Sequence, residues 1–129
     1  MGYRLTGEKL YTTNAPREDH EFLASLLVVI AQIVTVPQDV DRPKEERRFG
    51  AFVVETQSAG CRCTRLSFMG VRGIYNGQVH LRDVFVPVAD RLGEEGEGLR
   101  RALESLTVGR LTLPAACLGS LKQCLWLAR

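Results

Sequence analysis

The pattern of hydrophobic and polar positions changes character once along the chain. Up to about residue 92, apolar residues come in short runs or alternate with polar ones, the period-two signature of strands. From Gly96 they recur at three- and four-residue spacing. Leu99, Ala102, Leu103 and Leu106 fall at i, i+3, i+4 and i+7, and Leu111, Ala115, Leu118, Leu121 and Leu125 continue the stripe. The interruption at Thr107–Gly109, and Pro114, a residue suited to a first turn, predict two helical segments with a kink or fresh start near Arg110. The fold class is α+β, with strands over residues 1–92 and the start of a helical unit over 93–129.

Within the strand-rich part, "YRLTGEKLY" is a hairpin candidate turning at Thr6-Gly7, where glycine supplies a positive φ. "NAPREDHEF" carries a helix-start signature, with Asn14 as cap, Pro16 in the first turn and acids after it. The β-branched run that follows argues for extended chain. The expectation is a short helical turn, then a strand from about Leu26 to Val36. Pro37 to Arg48 is polar and reads as a solvated hairpin loop. "FGAFVVE" is the next strand, "TQSAG" a turn, and "CRCTRLSFMG" a strand or extended segment. In "GQVHLRDVFVP", Val79, Leu81 and Phe85 alternate with polar neighbours until Pro87, which has no N–H, stops the ladder.

Composition narrows the function classes. At 129 residues the chain holds one modest domain, or one domain and an appendage. A net charge of +2, with basic and acidic residues interspersed, argues against a nucleic-acid partner. The first residues lack the apolar core of a secretory signal, and the run Leu23–Val36 is too short to span a bilayer. Cys61 and Cys63 are spaced i, i+2, unlike redox or zinc pairs, so with Cys117 and Cys124 they read as free thiols of a reducing cytoplasm. Nothing brings His20 or His80 into a ligand spacing with them, and no metal is expected. The stripe running almost to Arg129, with Trp126 and Leu127, exceeds what the remaining apolar chain can cover. The expectation is a piece of a larger fold, cut at both ends.

No catalytic set stands out: GxSxG, phosphate-loop and HExxH patterns are absent. "GEEGEGLRR" has glycines before a helix, but its acids would repel a phosphate, and it reads as a loop and helix start. Four elements in one order do stand out: "GEKLYTTNA", "FGAFVVE", "MGVRGIYNGQVHLRDVFVP" and "GEEGEGLRRALESLTVGRLTLPAACLG". In order and spacing the series resembles the acyl-CoA dehydrogenase family, and the Gly109-Arg110 pair is similar to its longer-chain branch. The resemblance implies an antiparallel middle β-domain, an open barrel or two sheets, followed by the first helices of a C-terminal bundle. It implies FAD between the two, and α,β-dehydrogenation of acyl-CoA thioesters.

Carried over by position, the resemblance puts Tyr11 where the family usually has a Trp beside the isoalloxazine. Thr13 falls at a threonine whose hydroxyl reaches flavin N5, and Thr12 at the usual Ile position. A flat apolar ring with a polar edge needs such an aromatic wall and a few placed donors. Read without the resemblance, Tyr11 and Thr13 make a cross-strand pair at a sheet edge. Arg110 matches an arginine near the acyl-CoA pocket; its plain reading is a surface arginine. Arg72 and Asp83 belong to family motifs and are assigned structural roles. Some members place the catalytic glutamate one residue before the arginine matching Arg110; here that residue is Gly109. No catalytic residue is therefore assigned, and the chain alone is expected to be inactive. The other readings are a non-catalytic binding or assembly module that complements a separately encoded piece, and an acyl-CoA oxidase or flavin monooxygenase on the same scaffold; a homo-oligomer or association through the exposed helices is expected.

Overall fold

The computed structural model describes residues 1–70 and 73–129, so the assignment for Arg72 lies outside the described residues. Two antiparallel sheets form the body. In the first, β1 (Gly2–Thr13) and β6 (Cys61–Arg65) flank β7 (Asn76–Pro87). In the second, β4 (Leu26–Gln32) and β8 (Arg91–Leu92) flank β5 (Phe49–Glu55). A small hairpin of β2 (Pro16–Glu18) and β3 (Glu21–Phe22) follows β1. One helix, α1 (Gly98–Leu127), ends the chain. This is the α+β architecture expected.

Alternation explains the core. Leu5, Val79, Leu81, Val84 and Val86 of the first sheet pack with Val29, Phe52 and Val54 of the second, and Ile33 joins them. Phe52 is the bulkiest of the fully buried side chains. Burying one such side chain contributes about 1.5–3 kcal/mol, so the interior is held mainly by the apolar side chains that the two sheets turn inward around Phe52.

Three local expectations are overturned. The chain does not turn at Thr6-Gly7: β1 runs straight through, because its partner lies in β7, far along the chain. The register slips there because Thr6 faces both Arg82 and Asp83, a β-bulge in β7. Asp83 adopts φ +54°, its N–H donates to Thr6 Oγ1 (3.1 Å) and its carboxylate pairs with Arg4 (3.0 Å). The stretch after Asn14 is no helical turn. Asn14 and His20 have positive φ, and Pro16 opens the β2–β3 hairpin with its ring buried. The hairpin is tied to β6, His20 N–H donating to the Cys63 carbonyl (2.9 Å) and Arg65 N–H to Asp19 Oδ1 (2.8 Å). Tertiary pairing outweighs the capping signal.

The third correction concerns the helix, which passes Gly109, Arg110 and Pro114 without a break. Proline removes one ladder bond, the one that would reach the Arg110 carbonyl, and the other residues of the stripe still favour helix. Residues 33–48 join β4 to β5 as the expected hairpin loop, with two short turns of 3-10 helix. Its charges are not all solvated. Asp39 is buried and accepts from the Thr35 (2.8 Å) and Val36 (3.1 Å) N–H groups, which hold its carboxyl below the usual range, helped by Arg42.

The helix enters against the second sheet. Gly98 is buried on β5, where a Cβ would overlap the Gly50 backbone. A polar cluster fixes this junction. Arg91 donates to the Tyr3 hydroxyl (2.7 Å), which donates to Glu95 Oε1 (2.8 Å), while Arg48 pairs with Glu95 Oε2 (3.3 Å). Beyond that first turn α1 leaves the sheets, and Leu103, Leu106, Leu111, Leu118, Leu121 and Leu125 are exposed. No helix among the described residues is long and apolar enough to cross a membrane.

Candidate functional site

The end of β1 is where the backbone departs most from a regular strand. Lys9 pairs with Val79 and Thr12 with Gly77, so Leu10 and Tyr11 together face Gln78 in a second bulge, this time in β1. Tyr11 takes φ +59°. A bulky residue in this left-handed region carries about 1–3 kcal/mol of strain, and bulges of this kind re-aim side chains beside functional sites. The Tyr11 side chain is 65% exposed, and its ring meets Phe68 at 5.8 Å between centroids, tilted 48°.

Beside this tip lies a groove of about 280 Å³ between β1 and β4, lined by Lys9–Thr12, Leu27–Ile30 and Val79. Its walls are mostly apolar. Lys9 spans it at one point, Nζ donating to the Ile30 carbonyl (2.7 Å). Leu10, Leu26 and Val28 stand exposed nearby. A ring lying on Tyr11 would therefore find apolar surface continuing into the groove.

Two residues beyond Tyr11, Thr13 pairs with Asn76, the first residue of β7. Asn76 Nδ2 donates to Thr13 Oγ1 (3.1 Å). Asn76 is 8% exposed, and its Oδ1 is buried without a hydrogen-bond partner among the described residues. Thr13 itself is exposed. The tip is braced from behind: Asn14 N–H donates to the Tyr75 carbonyl (2.9 Å), and Leu66 N–H to that of Asn76 (2.9 Å). Gly77 has no room for a side chain, because a Cβ would overlap Pro16 and the Thr64 carbonyl. Arg65 lies over the Tyr75 ring at 5.2 Å.

The sequence-assigned residues thus fall into two groups. Tyr11, Thr12 and Thr13 stand together at one bulged tip. Arg110 does not line the groove beside Tyr11. It is exposed on α1, roughly 18 Å along the axis from Gly98, and the helix packs on β4 and β5. Asp83 lies in the other bulge, in the structural role assigned to it. Sequence reasoning passed over Asn76, Phe68 and Lys9. Only the Asx preference for special backbone positions hinted at Asn76, and nothing in the spacing linked it to Thr13.

The side chains present suit a flat aromatic group with a polar edge. An exposed phenol ring offers a face, the groove offers apolar contact, and Thr13 offers a hydroxyl at the rim. The thiols offer no reactive centre nearby. Cys63 is buried, and burial, then the neighbouring Cys63, pushes the Cys61 thiol up to about 11. No cluster among the described residues could hold a metal ion.

Comparison with known proteins bears on this site. No family model matches the chain. It is 44% identical over its whole length to the probable acyl-CoA dehydrogenase FadE10 of Mycobacterium tuberculosis. It is 29% identical, over 96% of its length, to a mitochondrial 2-methylacyl-CoA dehydrogenase of Solanum tuberosum. The chain spans 18% of the first and 27% of the second. Among solved structures, butyryl-CoA dehydrogenase of Megasphaera elsdenii superposes on 84% of the chain with a TM-score of 0.69 at 28% identity, using 25% of its own length. An acyl-CoA dehydrogenase of Bacillus anthracis complexed with FAD superposes on 84% with a TM-score of 0.67 at 30% identity, using 16% of its own length.

Proposed function

As the chain belongs to the acyl-CoA dehydrogenase family, matched along its full length by sequence and over most of it by structure, we propose that it supplies a flavin-facing wall of an FAD-dependent dehydrogenase of acyl-CoA thioesters. The observation that carries this is the strained bulge at Tyr11. It sets an exposed ring two residues from a hydroxyl held by Asn76. Bound FAD would supply the hydride acceptor for α,β-dehydrogenation. Tyr11 gives the ring system an apolar face, Thr12 the adjoining strand edge, and Thr13 a hydroxyl for its polar rim. Arg110 belongs to the acyl-CoA side of the site, carried by the helical unit.

Removal of an α-proton needs a carboxylate aimed at that carbon. Gly109 stands where the family resemblance places a glutamate in some members. The role assigned to this chain is therefore to bind or orient the flavin, with no general base at position 109. Titration of the purified chain with FAD, followed by flavin fluorescence, should show saturable binding that Tyr11→Ala and Thr13→Val weaken. Acyl-CoA-dependent reduction of a dye by the same material with FAD would overturn the assignment of no base.

The exposed apolar stripe of α1 favours a second property of the same chain: association through that helix, with another copy or with further helices. Size-exclusion chromatography of the chain against a variant with Leu111, Leu118 and Leu125 changed to Gln would show it as a loss of oligomer.

A further inference from the structure

We propose that Asn76 is a positioning residue that sets the direction of the Thr13 hydroxyl. The Asn76 amide gives its N–H to Thr13 Oγ1 at 3.1 Å and so occupies the acceptor side of that oxygen. The hydroxyl hydrogen is then left to point elsewhere, toward the exposed rim of the tip, where it donates to an acceptor on a bound group. Without Asn76 the hydroxyl would turn among three staggered positions.

The unsatisfied half of the same amide supports this. Asn76 Oδ1 is buried and has no partner among the described residues. An orphaned buried acceptor is destabilising, and an apolar side chain of similar size would avoid it. The amide is thus poorly explained as packing. It is explained by its donor half, which has one partner, Thr13. The neighbours keep the pair in register: Asn76 opposes Thr13 in the β1–β7 ladder, its carbonyl is taken by Leu66, and Gly77 lets Pro16 close against the strand.

This rests on the flavin reading of Thr13, and the test separates the two. Asn76→Asp is nearly isosteric but reverses the bond, because an ionised carboxylate only accepts and draws the Thr13 hydroxyl back upon itself. FAD affinity is measured by flavin fluorescence at pH 8 and pH 5, with circular dichroism as the folding control. Asn76→Asp should bind FAD roughly tenfold more weakly at pH 8, the size of one lost hydrogen bond, and recover part of that loss at pH 5, because burial at this position raises the carboxyl above its ordinary range and leaves it a proton to donate. Asn76→Ala should lose about threefold, at both pH values, the share of one rotamer in three. In a Thr13→Val background Asn76→Asp should have no further effect. A ligand-free check reads the Asn76 side-chain amide in the 15N–1H spectrum, whose proton shifts should move in Thr13→Val and stay in Thr13→Ser.

If wild type binds FAD, Thr13→Val weakens it and Asn76→Asp does not, the role of Asn76 is overturned while the flavin reading stands. If wild type shows no saturable binding, the flavin reading falls and takes this inference with it. If Asn76→Asp does not fold, Asn76→Ala and the amide spectrum decide: wild-type affinity in Asn76→Ala, or an amide unmoved by Thr13→Val, overturns the proposal.

Discussion

The Tyr3 hydroxyl donates to Glu95 Oε1 at 2.8 Å, across 92 residues of chain, and in doing so joins the first strand to the loop that launches the helix. The same oxygen accepts from Arg91, and the Tyr3 ring packs on Phe52 at 4.8 Å, tilted 60°. One side chain thus links the core to the helix junction. Tyr3→Phe keeps the ring and removes both hydrogen bonds. It should lower stability by about 1–2 kcal/mol, since each such bond contributes about 0.5–1.5 kcal/mol net. Because the loss falls at the junction, limited proteolysis should cut α1 faster than in wild type. Equal denaturation midpoints and equal cleavage would show that Glu95 is not an anchor.

Gly77 offers a test of how the tip is held. A methyl group there would meet Pro16 and the Thr64 carbonyl, so β2 or β6 must retreat. Gly77→Ala should cost about 1–3 kcal/mol, as overpacking does. It should also displace Thr12, its partner across the ladder, and Thr13 next to it. Chemical denaturation measures the first effect and amide shifts of residues 12–14 the second. A stability change with no shift at Thr12 or Thr13 would sever Gly77 from the site.

How much of this was legible in the sequence depends on how local each cause is. The strands β4, β5 and β7 were plain because β-branched runs and alternation act over neighbours. The helix was plain for the same reason, and its continuity was missed because Pro114 removes one bond from a pattern that otherwise persists. The bulges were not legible. Gly7 looked like a hairpin turn, yet the irregularity beside it belongs to Asp83, which only meets Thr6 in three dimensions. Tyr11 and Thr13 were marked by the family resemblance alone; no propensity foretells a tyrosine at φ +59°. Asn76 lies 63 residues from Thr13, and a buried amide with one free end is a property of packing that no spacing encodes.

The cysteines should separate cleanly by reactivity. Cys117 and Cys124 are exposed on α1, Cys63 is buried, and Cys61 is half-buried with its thiol pushed up to about 11 by burial, then by Cys63. At pH 8 a thiol reagent should titrate two groups fast and the other two only as the protein unfolds. The shift also sets a pH dependence. A Cys61 that stays protonated in the folded chain but ionises near its usual value when unfolded stabilises the fold below about pH 9. That contribution is lost as pH rises from 9 toward 11, because the unfolded state then holds fewer protons. Cys61→Ser should flatten the alkaline fall in melting temperature. Four fast thiols in native protein would contradict the burial of both strand cysteines.

Tyr11 brings stability and binding into opposition. Its left-handed backbone is strained for a large side chain, whereas asparagine adopts that region readily. Tyr11→Asn relieves the strain and forfeits the Tyr11–Phe68 contact, a surface pair about 0.5–1.5 kcal/mol strong. The two are of similar size, so the melting temperature should hold or rise slightly. Tyr11→Ala, which loses the contact and keeps most of the strain, should lower it. Both should weaken FAD binding alike, because each removes the ring. A bulge selected only for sheet geometry makes the opposite forecast: Tyr11→Asn would then bind like wild type. The pair of variants therefore asks, in one set of melts and titrations, whether the strained tyrosine is kept for the fold or for what lies against it.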